Sequence, residues 1–237
     1  MRVAPVAKDP AVHSFLTLRS AVGWVALCLP FLLVIPWWAI SNHLLPSSMS
    51  SYYYTGMRNV FVGSLCAIGI INMCCRGYDR RDTIAGILSG LFALGVGFFP
   101  TTPDSGATPF QEIVGNIHLT CAALLFLTLA YFCLFLFTMS ASDRAVTRRK
   151  RHRNRVYRIC GWVIIASVVL IAIFRTLHRP YLIGPLGSMF CFETTALLAF
   201  GTAWLAKGGT ILKDEMQQER AELEQERRRQ QRQMAGA

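Results

Sequence analysis

Six apolar stretches limit the folds that are open to this chain. They cover residues 20–41, 58–75, 83–99, 113–138, 156–174 and 186–206. Each is close to the roughly 20 residues that a helix needs to cross the hydrocarbon core of a bilayer. Charged residues make up 16% of the chain, against about a quarter in a soluble domain, and they lie mostly outside the apolar stretches. The sequence therefore predicts an all-α, polytopic membrane protein, a six-transmembrane-helix bundle.

Basic residues alternate between the two ends of the predicted spans. Lys and Arg are concentrated in the N-terminal segment 1–19, in the loops after spans two and four, and in the charged tail 207–237. Because Lys and Arg concentrate in cytoplasmic loops, we expect both termini in the cytoplasm. We expect the membrane itself to be a bacterial inner membrane. The net charge of +11 then reflects topology and attraction to anionic lipid, so nucleic-acid binding is not needed to explain it.

Local features predict some details of the spans. Pro30 and Pro36 interrupt the backbone hydrogen bonds of span one and predict a kink, and Trp37 with Trp38 is typical of the aromatic belt at a membrane surface. Small residues recur in spans two and three, as in the pair Gly86 and Gly90, and predict close helix packing rather than a dedicated dimer contact. We expect the tail to form a solvated helix, with a homo-oligomer contact as the alternative.

The polar groups that lipid would penalise cluster on the side opposite the basic loops. The loop 46–63 is rich in hydroxyl and aromatic side chains and contains no acidic residue. Ionisable groups within membrane helices usually face the bundle interior or a wet cavity. We therefore predict a pocket for a lipid or a small amphiphile, without cofactor or metal. Its candidate ligand-binding residues are Tyr53, Arg58, Asn59, His118, Arg175 and Glu193.

Glu193 is the most informative of these residues, because no oppositely charged residue lies within four positions of it. One interpretation is a buried ion pair that fixes helix register, with Arg58 or Arg175 as the cation. A second is a ligand or proton site. A third is a carboxyl group that desolvation keeps protonated.

His118 raises the alternative of an intramembrane hydrolase. Ser50 or Ser51 would be the nucleophile, His118 the general base, and Asp104 or Glu112 the group that orients the base. The chain has no GxSxG nucleophile motif. We therefore expect a non-enzymatic protein, in which His118 is a hydrogen-bonded core histidine or a ligand or pH-sensing contact. A third hypothesis is a membrane scaffold that acts through the basic segments 144–155 and 207–237.

The eight cysteines argue against a metal site. They lie in or at the ends of apolar stretches, and none forms a CxxC pair. A zinc site would need clustered ligands. We expect free thiols that pack as small hydrophobic groups.

Several landmarks along residues 20–206 occur in a recognisable order. Pro46 with Ser50 follows span one, the run Val60-Phe61-Val62-Gly63 opens span two, Phe99-Pro100 ends span three, and His118 lies early in span four. This order resembles the DRAM/Frag-type six-span membrane proteins and their bacterial relatives of unknown function. The resemblance implies a non-enzymatic membrane protein linked to lipid organisation or membrane trafficking.

A second comparison concerns the transmembrane hydrolases related to alkaline ceramidase. This chain resembles them in combining Ser, Asp and His in a membrane protein. Those hydrolases bring additional zinc-binding histidines and one more span, and His118 is the histidine here that lies at a suitable depth. This difference disfavours the hydrolase family.

Overall fold

Six α-helices make up most of the described part of the chain. The computed structural model describes residues 10–41, 45–75, 79–139, 148–177 and 187–208, and within these ranges it contains no β-strand. The helices are α1 (Pro10–Ile40), α2 (Arg58–Cys74), α3 (Arg80–Phe98), α4 (Pro109–Tyr131), α5 (Arg148–Thr176) and α6 (Ser188–Lys207). A short 3-10 helix, Ser50–Tyr54, precedes α2, and a π-helical turn, Phe132–Leu136, continues α4. The predicted all-α bundle is confirmed.

Five segments of these helices are long and apolar enough to cross a membrane. They are Thr17–Ile40, Arg80–Phe98, Pro109–Leu136, Lys150–Thr176 and Ser188–Lys207. The apolar helix α2 is shorter, with 17 residues, which corresponds to about 26 Å along its axis. Many large apolar side chains on the outside of the bundle are exposed, among them Trp24, Phe31 and Trp162. An apolar exterior of this kind is suited to lipid rather than to water.

Consecutive helices pack side by side, and α6 closes the ring against α1. The interior is filled by large apolar side chains, including Leu29, Leu33, Phe61, Leu129 and Phe200. Each helix runs opposite to its neighbours in the ring, so the connections fall at two ends of the bundle. We call the end with segments 45–57 and 99–108 the loop face, and the end with Arg19, Lys150 and Lys207 the basic face.

Small residues bring α2 and α3 into close contact, as predicted. A Cβ atom added to Gly86 would lie 2.9 Å from the carbonyl oxygen of Asn72, and one added to Gly90 would lie 2.6 Å from that of Gly69. The buried Asn72 also donates a hydrogen bond of 3.3 Å to Ser89 across the same contact. Gly63 in α2 does not take part in this close contact, because a Cβ there would meet nothing within 4 Å.

Local features mark the ends and the interior of three helices. The extended backbone of Phe99 ends α3 before Pro100, and Thr108 with Gln111 forms a capping box at the start of α4. Pro30 and Pro36 lie inside α1, which continues through both.

Basic and aromatic side chains pack together at the basic face. The Arg19 guanidinium lies 5.5 Å from the Trp204 ring, and the Lys207 ammonium lies 5.4 Å from the Phe137 ring. Arg153 donates a hydrogen bond of 3.3 Å to the Tyr157 hydroxyl. The segment 1–9, most of the loop between α4 and α5, and the tail 209–237 lie outside the described residues.

Candidate functional site

The loop that follows α1 is packed against the start of α6. The backbone N–H of Phe190 donates a hydrogen bond of 3.2 Å to the carbonyl oxygen of Ser47. Gly187 permits this approach, because a Cβ atom there would overlap the backbone of Ser47. Tyr52 is completely buried, and its ring packs at 6.0 Å from that of Phe190. Residues 47–52 therefore pack tightly across this end of the bundle, and we call them the cover.

Glu193 holds this cover through the backbone. One carboxylate oxygen accepts a hydrogen bond of 2.6 Å from the Met49 N–H, and the other lies 3.5 Å from the Ser50 hydroxyl. Glu193 lies five residues into α6, about 8 Å along the helix axis from Ser188. The loop enters the bundle to this depth, and its residues Ser47, Ser48, Met49 and Ser50 are all buried as a result.

His118 approaches the same serine from α4. Its Nε2 atom lies 3.0 Å from the Ser50 hydroxyl oxygen, and its Nδ1 atom lies 2.7 Å from the carbonyl oxygen of Phe99. A carbonyl oxygen only accepts hydrogen bonds, so Nδ1 carries a proton. In the neutral ring Nε2 is then the acceptor, and the Ser50 hydroxyl donates to it.

These contacts form one chain from Phe99 through His118 and Ser50 to Glu193. Every link is satisfied by a protonated carboxyl with a neutral imidazole, in which Glu193 donates to Ser50 and Ser50 donates to His118. The same links also fit a carboxylate with an imidazolium, in which both donations are reversed. The same heavy-atom contacts are thus compatible with a proton on Glu193 or with a second proton on His118.

The other predicted site residues lie apart from this chain. The Arg58 guanidinium lies 4.1 Å from the centre of the Tyr53 ring and donates a hydrogen bond to the Tyr53 hydroxyl. Asn59 and Arg175 are exposed. The cation that we expected beside Glu193 is therefore not Arg58, whose guanidinium is held by Tyr53, and the partners described for the carboxylate are Met49 and Ser50.

Two of the five candidate catalytic residues meet and three do not. Ser50 lies beside His118. Ser51 instead pairs with the Ser48 hydroxyl at 2.8 Å, and the exposed Asp104 accepts a hydrogen bond of 3.4 Å from Ser47. Glu112 is exposed at the first turn of α4. His118, the general base in the hydrolase hypothesis, is thus oriented by the backbone carbonyl of Phe99 rather than by a carboxylate.

Two cavities lie on opposite sides of the cover. The inner cavity, about 50 Å³, is bounded by apolar side chains of the core and by Ser50 and Glu193 at its polar end. The outer pocket, about 450 Å³, is lined by Trp37, Leu45, Pro46, Ser51, Tyr54, Thr55, Pro103, Asp104 and Ser105. The outer pocket is within the size range of ligand sites, whereas the inner cavity has room for about one or two water molecules.

Tyr52 in the cover and Tyr54 just after it have different surroundings. The Tyr54 hydroxyl donates a hydrogen bond of 2.6 Å to the carbonyl oxygen of Thr101, at the edge of the outer pocket. Burial raises the pKa of Tyr54, and the nearby Arg58 opposes that rise. Burial raises the pKa of Tyr52 to about 12, and no partner is found for its hydroxyl among the described residues.

Residues that could bind a metal are dispersed in the described part of the chain. It contains no group of three or more His, Cys, Asp or Glu residues that could hold an ion. The eight cysteines, all within the described ranges, are free thiols.

Sequence reasoning missed the contribution of Trp37 to the outer pocket. The Trp37-Trp38 pair is typical of an interfacial belt, and the sequence alone does not separate the two residues. It also missed the backbone of Met49, because a backbone donor has no residue-type signature.

Comparison of the chain with family models, curated proteins and solved structures gave no match. The resemblance to DRAM/Frag-type proteins therefore stays a prediction. Three of the landmarks on which it rests, Ser50, Phe99 and His118, meet in the hydrogen-bonded chain.

Proposed function

We propose that this multi-pass membrane protein binds a lipid or another amphiphile in the outer pocket of its loop face. The observation that carries the proposal is the pocket itself, which combines a volume of about 450 Å³ with aromatic, hydroxyl and carboxylate groups and an apolar rim. Binding sites for small molecules usually combine apolar walls with a few well-placed polar groups.

The buried network contributes rigidity to this site. Ser51 lines the pocket, and the adjacent Ser50 is tied to α4 through His118 and to α6 through Glu193. A pocket floor that is fixed before binding loses little conformational entropy when the ligand enters. His118 and Glu193 thus support the site without touching its ligand.

The proposal places the loop face away from the cytosol. The predicted loops on the opposite side carry most of the Lys and Arg residues, which favours a cytoplasmic location for the basic face and for both termini. In a bacterial inner membrane, the pocket would then open towards the periplasmic leaflet. Labelling of a cysteine introduced at exposed Ser105 by an impermeant reagent in intact cells tests this orientation. Protection of that cysteine until the cells are lysed would overturn it.

A pair of adjacent tryptophans provides the test of binding. Trp37→Ala opens the pocket wall, whereas Trp38→Ala removes an equally large side chain that does not line the pocket. Native mass spectrometry of the purified protein should show that Trp37→Ala retains at least tenfold less bound lipid than the wild type, while Trp38→Ala retains the wild-type amount. Equal retention by the two variants would refute the proposed site.

The contact between Ser50 and His118 favours hydrolysis as a second candidate function. A hydroxyl at 3.0 Å from a histidine nitrogen is within reach for general-base activation. Because Ser50 is buried and the inner cavity is small, a substrate would have to displace the cover.

A fluorophosphonate probe distinguishes the second function from the first. Modification of Ser50 that is lost in His118→Gln and retained in Ser51→Ala would support hydrolysis. Lack of modification while lipid binding is intact would argue against hydrolysis and leave lipid binding as the remaining candidate function.

A further inference from the structure

The charge of the outer pocket indicates what kind of polar group it selects. Asp104 is the one residue with a formal charge among the described residues that line it. Its hydrogen-bond donor, the Ser47 hydroxyl, is neutral and distant at 3.4 Å, so the bond positions the carboxylate without neutralising it. Arg58 does not line the pocket, and its guanidinium is held against the Tyr53 ring.

Aromatic residues accompany this carboxylate. Trp37 and Tyr54 both line the pocket. The face of an aromatic ring attracts a cation, most strongly for Trp, and sites for quaternary ammonium groups are built on this attraction. An anionic group would instead meet the Asp104 charge without a Lys or Arg among the described lining residues to balance it.

Both aromatic residues are held in place before any ligand arrives. The Trp37 ring lies against the turn that contains Gly56, where an added Cβ atom would be 3.7 Å from the indole. Tyr54 is fixed by its hydrogen bond to Thr101. Leu45, Pro46 and Pro103 complete the lining with apolar surface, which suits the hydrocarbon part of an amphiphile.

We infer that the outer pocket recognises an ammonium group, with Asp104 as its counter-charge and Trp37 and Tyr54 as its aromatic contacts. The inference rests on the proposed function and specifies its ligand class. The ammonium group can belong to the head of a membrane lipid or to a free amine compound, since the two share the same chemistry at this site.

A series of lipids with equal acyl chains tests this inference. Protein reconstituted in nanodiscs is offered phosphatidylcholine, phosphatidylethanolamine and phosphatidylglycerol, and the lipid that stays bound after extraction is identified by native mass spectrometry. The two ammonium lipids should be retained about tenfold more strongly than phosphatidylglycerol. Displacement of bound lipid by tetramethylammonium or ethanolamine at millimolar concentration would support the same site chemistry with a free amine as the ligand.

The outcomes separate the two proposals. Equal or stronger retention of phosphatidylglycerol would overturn the ammonium inference and leave amphiphile binding in place. Absence of any retained lipid, with no effect of Trp37→Ala, would overturn both.

A charge-neutral variant makes the test specific to Asp104. Asp104→Asn keeps the size of the side chain and an oxygen that can accept from Ser47, so the fold should be unaffected. It should reduce the tenfold headgroup preference to within about twofold. Glu112→Gln is the matched control, because Glu112 is an exposed carboxylate in the first turn of α4 that does not line the pocket. An unchanged preference in Asp104→Asn would overturn the inference.

Discussion

The Ser50 hydroxyl lies 3.0 Å from Nε2 of His118, although 68 residues separate the two along the chain. This hydrogen bond joins the cover of the loop face to the wall of the bundle. Both residues are buried, so neither polar group is exposed to bulk water. A contact of this kind is costly to break, because a buried polar group without a partner costs about 1–3 kcal/mol.

The first prediction concerns the loss of the Ser50 hydroxyl. Ser50→Ala leaves Nε2 of His118 without its partner, so we expect the free energy of unfolding to fall by about 1–3 kcal/mol. Thermal unfolding of the purified protein measures the change. Ser51→Ala is the control, and it should have a smaller effect because Ser51 is only partly buried and bonds to a neighbour within the loop. A larger loss in the control would show that the contact with His118 is not the important one.

The second prediction separates the hydrogen bond of Glu193 from its charge. Glu193→Gln keeps an oxygen for the Met49 N–H, which donates to the native carboxylate at 2.6 Å. Glu193→Leu removes the acceptor and leaves a buried backbone donor unpaired. We expect the Leu variant to be less stable than the Gln variant by about 1–3 kcal/mol. Equal destabilisation by both changes would mean that the hydrogen bond accepted from Met49 does not hold the cover.

The fold was predictable because it follows from length and composition. Apolar stretches of bilayer length specify helices, and Phe99-Pro100 specifies where one of them ends. The concentration of polar groups at the loop face also followed from the sequence, since lipid penalises such groups elsewhere.

The partners within the site were not predictable in the same way. Glu193 bonds to a backbone N–H of Met49, and every non-proline residue has such a donor. Arg58 pairs with Tyr53, five residues away along the chain, rather than with a distant acid. The contact of Ser50 with His118 depends on how deeply the loop enters the bundle, and that depth is set by tertiary packing at Gly187.

The third prediction is a loss of stability at alkaline pH that depends on Tyr52. Burial raises the pKa of this phenol from 10.0 to about 12, so the folded state keeps its proton where the unfolded state loses it. The stability that the protonated Tyr52 phenol contributes is therefore complete below pH 10 and declines as the pH rises from 10 towards 12. Tyr52→Phe should remove this part of the decline and cost little at neutral pH, because the hydroxyl has no partner among the described residues. Identical alkaline unfolding curves for the wild type and the Phe variant would contradict the assignment.

The fourth prediction uses Gly187, where the cover lies against α6. A Cβ atom at this position would overlap the backbone of Ser47, so Gly187→Ala must push the loop away from the helix. We expect the free energy of unfolding to fall by about 1–3 kcal/mol, as for other overpacked sites. The amides of Met49 and Phe190, whose hydrogen bonds close the cover, should also exchange with solvent faster. Gly63→Ala is the control, because a Cβ there meets nothing within 4 Å and alanine favours the helix. If hydrogen exchange at Met49 and Phe190 is unchanged in Gly187→Ala, the cover is not held where the structure has it.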